Sequence, residues 1–311
     1  MGQQGADTRA APPGPRFQAT LARPVAGSGV GLHTAKPSNV RVLPAPPDHG
    51  VVFRRFVQGV AHDVPAHWRN RRSRPLCTAL QVGEGPLVRT VEHLMAALSA
   101  ARIDNALVEI DAEELPIFDG SAEPWRLKLA EAGRVEQDRP RRYLRVLKRV
   151  EYRNGRHKQS IDPAAAFTVK GSVTLNGLGQ LRWSGPIDPD TFARELAPSR
   201  SFGRLKWALL AKLFGRFTRE PVLRGANLSN TVALWRRSAI GGLRMPDEPV
   251  RHRVLDLVGD YALAGHPLMG RTTAVMPGHE HNHAMIAILL EDATAWDLVE
   301  IAEGGDLRPA S

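Results

Sequence analysis

The sequence predicts an α+β protein of two domains, and three observations carry that expectation. The chain has 311 residues, about twice the size of an ordinary domain. Its hydrophobic share of 42% is enough for real cores and excludes a wholly disordered chain. Strand-like alternation and helical periodicity both occur in each half of the chain.

Residues 1–16 carry Pro12, Pro13 and Pro15 among Gly and Ala and read as a disordered tail. In the first domain, 17–138, VRVLPA and GVVFRRF read as strands and NALVEID as a buried one. TVEHLMAALSAA reads as a helix with Thr90 as N-cap and Val91, Leu94, Met95 and Leu98 as its apolar face. EPWRLKLAEAG is a second helix, stopped by Gly133. The polar stretch Glu131 to Pro140 marks the domain boundary. The second domain, 139–303, opens with a half-buried strand from Tyr143 to Tyr152, with Leu144, Val146, Val150 and Tyr152 on one face. AFTVKGSVTL is a strand and DPDTFARELA a helix. HRVLDLVGDYALAG is a helix with Val254, Leu257, Val258 and Tyr261 as its core stripe. PGHEHNH reads as a polar loop leading into the helix HAMIAILLED, and residues 304–311 as a loose C-terminus.

Composition narrows the function classes. One cysteine, Cys77, excludes an internal disulfide framework and any multi-Cys zinc or iron–sulfur site. No apolar run approaches the ~20 residues of a membrane span. The N-terminus has no hydrophobic signal region, and Ala6 stands where a myristoylation motif wants Ser or Thr, so the expectation is a soluble cytoplasmic protein. The formal charge is +10, and it is concentrated. Arg139 to Lys158 carries +8, Arg69 to Arg74 +4 and Ser201 to Gly225 +5, together more than the whole excess. Such clustering points to an anionic partner: nucleic acid, an anionic membrane surface or a phosphorylated substrate. The alternative is solvated surface charge. Within the third stretch, Leu205, Leu209, Leu210, Leu213, Phe214 and Phe217 fit one helical face edged by Lys212, Arg216 and Arg219. That pattern suits either a membrane-surface helix or a buried one with snorkelling bases.

Three features carry candidate chemistry. His252, Asp256 and Asp260 recur at i, i+4, i+8 on one helix, away from its apolar stripe, so His252 and Asp256 can share an ion. With 11 His and 32 acids, chance alone supplies about one such pair. Glu92-His93 opens another helix, where a carboxylate is also explained by the helix dipole. His279, His281 and His283 alternate, as in a surface loop or a metal-binding extended segment. In combination, His93, His252 and Asp256 give three N/O ligands with a fourth position for water, the arrangement of a catalytic zinc. Glu92 is then placed to take a proton from that water, and His279 to act as the complementary acid.

Taken in order, GVGLHT (29–34), TVEHLMAAL (90–98), IDN (103–105), PIFDGSAEPW (116–125), SFG (201–203), RHRVLDLVGD (251–260) and GH (278–279) form a recognisable series. It resembles the zinc-dependent UDP-3-O-acyl-N-acetylglucosamine deacetylase family of lipid A biosynthesis, over most of residues 17–300. The resemblance implies two domains, each a mainly antiparallel sheet packed on a pair of helices, with the active site between them. It implies one zinc per chain, with ferrous iron as the alternative ion, held by His93, His252 and Asp256. Glu92 would be general base, His279 the catalytic histidine, Asp260 the carboxylate that orients it, and Ser201 the hydroxyl at the developing oxyanion. Arg253, Phe202, Gly203 and Cys77 would contact substrate.

The series also departs from the family. Arg253 stands for a usual lysine and Ala35 for a glycine. LNGLGQLRW replaces a Phe-x-His-Pro-like stretch, and a basic segment follows SFG where the family is acidic and polar. Three functions follow from these readings. The first is deacetylation of a UDP-linked acylated amino sugar. The second is the same chemistry on a different acetamido or acyl-amine substrate. The third is a basic nucleic-acid-binding protein, for which 6% aromatic residues and no binding module give little support. On the first reading no nucleic acid is expected as partner. The protein would be a cytoplasmic monomer, peripheral at the inner face of a Gram-negative membrane.

Overall fold

The computed structural model describes residues 14–204, 220–236 and 238–310. Most of the expected N-terminal tail and the amphipathic stretch from Leu205 to Arg219 lie outside the described residues. The class is α+β, as expected.

In the first half, one sheet runs in the order Val25–Val30, Pro37–Pro44, Ala106–Ile110, Val51–Val57, Val60–Pro65. Only Val51–Val57 and Ala106–Ile110 are parallel; the other neighbours are antiparallel. Alternation explains the facing: Pro37–Pro44 buries Ser38, Val40 and Val42 and exposes the residues between them. Helix α1 (Glu92–Ala100) and helix α2 (Glu123–Ala132) cover this sheet. Gly133 ends α2 at φ 73°, a conformation that favours glycine. Thr90 is not the N-cap of α1. Its backbone is left-handed (φ 60°) and its hydroxyl donates to Glu114 Oε1 at 2.9 Å, so it is committed elsewhere. A smaller sheet of Arg71–Arg74, Cys77–Leu80 and Val88–Arg89 lies beside α1.

The stretch read as a domain boundary and the C-terminus read as loose both contain paired strands. Arg134–Pro140, within the polar boundary stretch, pairs antiparallel with Phe17–Leu21. Leu307–Pro309 is an edge strand on Trp296–Ile301. Residues 15 and 16 are also tied down: the Pro15 carbonyl accepts from the Tyr143 hydroxyl (2.6 Å) and that of Arg16 from the Arg141 N–H (2.8 Å).

The second half is built on an eight-stranded sheet around Leu268–Val275. That strand is parallel to Thr168–Leu175 and to Tyr143–Val146, and antiparallel to His157–Pro163. The single strand expected over Tyr143 to Tyr152 is two. Leu147 N–H turns aside to the Ala295 carbonyl (2.8 Å), so Tyr143–Val146 pairs with Trp296–Ile301 while Val150–Asn154 pairs with His157–Pro163. Helix α3 (Pro189–Thr191), capped by the Asp188 carboxylate, runs into a π-type turn over Phe192–Leu196. Helix α4 (Glu248–Tyr261) and helix α5 (His279–Glu291) cover one face of the large sheet. The histidine-rich stretch is the first turn of α5, not a loop.

Helix α4 is buried on nearly every side, because two contacts clamp it. A Cβ built at Gly171 would lie 2.5 Å from Val254 Cγ2, so the helix rests on strand Thr168–Leu175. A Cβ at Gly259 would lie 2.0 Å from the Glu92 carbonyl oxygen, so the opposite side of α4 meets the backbone of α1. Only glycine permits that approach.

Two substitutions test these backbone constraints. Gly259→Ala forces α1 and α4 apart, and thermal denaturation should show a loss of about 1–3 kcal/mol, with bound metal lost as well. Ala35 sits at φ 57°, where the resembling family has glycine. Ala35→Gly should therefore raise the melting temperature, by the equivalent of about 1 kcal/mol.

Candidate active site

Three helices and one strand bring the predicted residues together. The first turn of α1 supplies Glu92 and His93, and α4 supplies His252, Asp256 and Asp260 on successive turns. The first turn of α5 supplies His279 and His283, and strand Cys77–Leu80 supplies Thr78.

His93, His252 and Asp256 converge. Asp256 Oδ1 lies 3.6 Å from His93 Nε2 and 3.4 Å from His252 Nε2, and one ligand atom from each residue falls within 4.8 Å of the others. The two imidazoles meet edge to face, centroids 5.2 Å apart. Asp256 Oδ1 is buried without a hydrogen-bond partner. A buried carboxylate oxygen left unpaired is costly unless a cation meets it, so this donor set fits a divalent metal. His252 Nδ1 lies 3.1 Å from the Ser199 carbonyl; donating there turns a lone pair on Nε2 toward Asp256. Burial holds His252 down to about 4, which keeps it neutral as a ligand must be. Burial opposes ionisation of Asp256, but His252, His93 and His279 outweigh it and hold the carboxyl far below its usual range.

Glu92 and His279 flank this cluster with opposite tendencies. Burial pushes the Glu92 carboxyl up to about 7, against the pull of His279 and His93. Its Oε2 accepts from the Thr78 backbone N–H at 3.0 Å, and its Oε1 lies 3.8 Å from His279 Nε2. Burial disfavours the His279 cation, yet the charge and hydrogen bond of Asp260, with Glu92 and Asp256 behind them, raise it to about 10. His279 Nδ1 is 3.0 Å from Asp260 Oδ2, leaving Nε2 to face Glu92 and Asp256. At neutral pH Glu92 is therefore divided between its neutral and anionic forms while His279 is cationic.

Thr78 and Asn282 escaped the sequence reading, and His283 entered it only as one of the alternating histidines. Thr78 Oγ1 donates to Asp260 Oδ1 at 2.5 Å, and Asn282 Nδ2 to Asp260 Oδ2 at 2.8 Å. With its one proton given to Asp260, the Thr78 hydroxyl accepts from His283 Nε2 at 2.9 Å. Thr78 thus holds the supports of both Glu92 and His279. A polar residue beside Cys77 gave no spacing signal that could have found it. Glu114 was also missed: it accepts from the backbones of His33 and Thr34 and from both threonine hydroxyls, Thr34 and Thr90, folding the GVGLHT loop onto the start of α1. His281 parts from its neighbours. It is two residues from each on a helix, so it faces away, stacked on His157 at 3.7 Å. The alternating histidines do not form one metal cluster.

Of the remaining candidates, Phe202 and Arg253 sit beside His252, and Cys77 precedes Thr78 on its strand. The Phe202 ring is edge-on to His252 at 6.1 Å, and the Arg253 guanidinium lies over Phe202 at 5.2 Å and 3.8 Å from Asp256 Oδ2. Ser201 is pinned by its backbone, its N–H donating to Gly120 O (2.7 Å) and its carbonyl accepting from Val232 N–H (2.8 Å). A Cβ built at Gly203 meets nothing within 4 Å, so its backbone is open. Cys77 is buried, and burial beside Glu92 pushes its thiol up, which keeps it protonated.

Comparison with known proteins shows what the whole chain is similar to. The family model for UDP-3-O-acyl N-acetylglycosamine deacetylase matches residues 18–291. A UDP-3-O-acyl-N-acetylglucosamine deacetylase of Syntrophotalea carbinolica is 35% identical over 92% of this chain and 92% of its own length. Proteins of the same name from Cellvibrio japonicus and Brucella melitensis are 35% and 36% identical over 91% of this chain, covering 93% and 99% of their own lengths.

Thr78→Val keeps the side-chain shape and the backbone donor to Glu92 but removes the hydroxyl from Asp260. Steady-state kinetics of the acetamide hydrolysis should show kcat lowered roughly 10-fold or more with bound metal unchanged.

Proposed function

The chain belongs to the UDP-3-O-acyl N-acetylglycosamine deacetylase family, and from that premise we propose how its own residues divide the work. The reaction is hydrolysis of the N-acetyl group of a UDP-3-O-acyl-N-acetylglucosamine, in lipid A synthesis. It releases acetate and the free amine. The observation that carries the assignment of roles is the meeting of His93, His252 and Asp256 around one unpaired buried carboxylate oxygen, with Glu92 and His279 beside it.

His93, His252 and Asp256 hold the ion, zinc in our reading with ferrous iron as the alternative. Bound there, it supplies Lewis acidity toward the acetamide carbonyl and toward water. Glu92 takes a proton from the attacking water, a task suited to a carboxyl poised near neutrality. The Ser201 hydroxyl donates to the oxyanion of the tetrahedral adduct. His279, charged because Asp260 faces its Nδ1, delivers a proton from Nε2 to the departing nitrogen as the C–N bond breaks. Phe202, Gly203 and Arg253 form the substrate-facing rim next to His252, with Cys77 beneath it beside Thr78. Burial supports a structural thiol there and no nucleophile.

The two halves, 17–138 and 139–303, act as the two units that bring α1 against α4. No helix among the described residues is long and apolar enough to cross a membrane. The proposed setting is the cytoplasm, as a monomer. The concentrated basic charge supports peripheral contact with an anionic membrane surface.

Metal-replete protein should release acetate from the acylated UDP-sugar, lose that activity on chelation and regain it with zinc. No turnover by metal-replete protein would overturn the assignment. His252→Ala should abolish both activity and stoichiometric metal by elemental analysis. The pH profile should rise as Glu92 deprotonates and fall as His279 does. Neutralising the charge that raises His279, in Asp260→Asn, should move the falling limb to lower pH by about 1–3 units.

A further inference from the structure

The large sheet is unequal on its two faces. Helices α4 and α5 cover one, while no helix or sheet among the described residues covers the opposite face of its five strands from Val150 to Pro186 and Leu268 to Val275. Strand register fixes what stands on that open face. One row across the strands reads Lys158, Val275, Ser172, Arg182, and the next Ser160, Thr273, Lys170, Ser184. Arg153 stands opposite Lys158 in the first row, and Arg271 opposite Asp162 one row further on.

Six exposed cations, Arg149, Arg153, Lys158, Lys170, Arg182 and Arg271, therefore share this face with two acids, Glu151 and Asp162. Both acids are taken up at one side: Glu151 accepts from Arg149 (2.6 Å) and Arg153 (3.3 Å), and Asp162 from Arg149 (2.9 Å) with Arg271 at 4.0 Å. Among the described residues no carboxylate pairs with Lys158, Lys170 or Arg182. Between them lies a shallow hollow of about 540 Å³ whose lining includes Lys170, Arg182 and the hydroxyl residues Ser172, Ser184 and Thr273. Neighbouring strands are about 4.8 Å apart, so the uncompensated cations spread over roughly 14 Å of the sheet.

We propose that this open face is the protein's docking surface for an anionic lipid bilayer, with the hollow between Lys170 and Arg182 receiving a headgroup phosphate. The inference deepens the peripheral membrane contact proposed above and rests on it. A plane of separated charges matches a plane of separated charges. Among the described residues these rows present no aromatic ring on which a base could stack, and Val275 is their one apolar side chain, which speaks against a nucleic acid or an apolar protein partner. Each basic side chain near an anionic surface contributes modestly, and several acting together give reversible, salt-sensitive adsorption.

The test is co-sedimentation of the full chain with vesicles of phosphatidylcholine alone and of phosphatidylcholine mixed with an equal part of phosphatidylglycerol. Binding should be confined to the anionic vesicles and be lost at high salt. The triple variant Lys158→Glu, Lys170→Glu, Arg182→Glu, altered only at exposed positions, should bind them roughly tenfold more weakly or less. Its deacetylation of the UDP-sugar in vesicle-free buffer should equal the parent's, which also reports that it folds. Parental binding by the variant, equal binding to neutral vesicles, or tighter binding to a duplex DNA of arbitrary sequence at the same salt would each overturn the proposal. Absent turnover by the parent would instead strike the deacetylase reading, and leaves the vesicle result standing by itself.

Discussion

The contact between Gly259 of α4 and the Glu92 carbonyl of α1 is the constraint on which the centre depends. Two helices approach closely only where side chains do not hold them apart, and here the approach falls at the first turn of α1. That turn carries Glu92 and His93, and the turns of α4 on either side of the contact carry Asp256 and Asp260. The backbone contact thus sets the distance between ligands that lie about 160 residues apart in the chain. The strand beneath α4 contributes a second small residue, Gly171, against Val254, so the helix cannot shift in either direction without a clash. A metal centre needs its donors fixed to fractions of an ångström, and backbone contact provides that more firmly than long side chains do.

Burial then separates the two proton carriers. Both Glu92 and His279 are removed from water, and desolvation disfavours the charged form of each. The difference lies in their company. Glu92 receives one backbone N–H from Thr78 and stays near neutrality, whereas His279 faces a carboxylate that is itself held by Thr78 and Asn282. The same threonine therefore supports a weak base with its backbone and a strong acid partner with its hydroxyl. The orphaned oxygen of Asp256 completes the pattern, a buried acceptor that no donor of the protein meets.

Three of the departures from the family lie among the described residues, and they fall around this core and not in it. Ala35 is accommodated in a left-handed turn whose neighbours, His33 and Thr34, are held by Glu114. Arg253 retains a cation beside Asp256 and adds a planar contact with Phe202. LNGLGQLRW lies at the hairpin joining Thr168–Leu175 to Gly179–Pro186, at the margin of the open basic face. Arg182, within it, is one of the cations on that face that no carboxylate among the described residues offsets.

The sequence by itself determined the α+β class, helices α1, α2 and α4, a minority of the strands and the list of chemically able residues. Those depend on local periodicity and on side-chain chemistry, which the order of residues carries directly. It misjudged Thr90, whose capping hydroxyl is drawn to Glu114, and the stretch from Tyr143 to Tyr152, which a turn toward Ala295 divides. It also placed His279 in a loop and grouped it with His281, although a helix sends the two to opposite sides. Tertiary structure alone decided that His93, His252 and Asp256 touch, that Thr78 stands between base and acid, and that the spare cations gather on one side of a sheet. Those facts depend on contacts between distant segments and on strand register, where a one-residue shift turns every side chain to the other face.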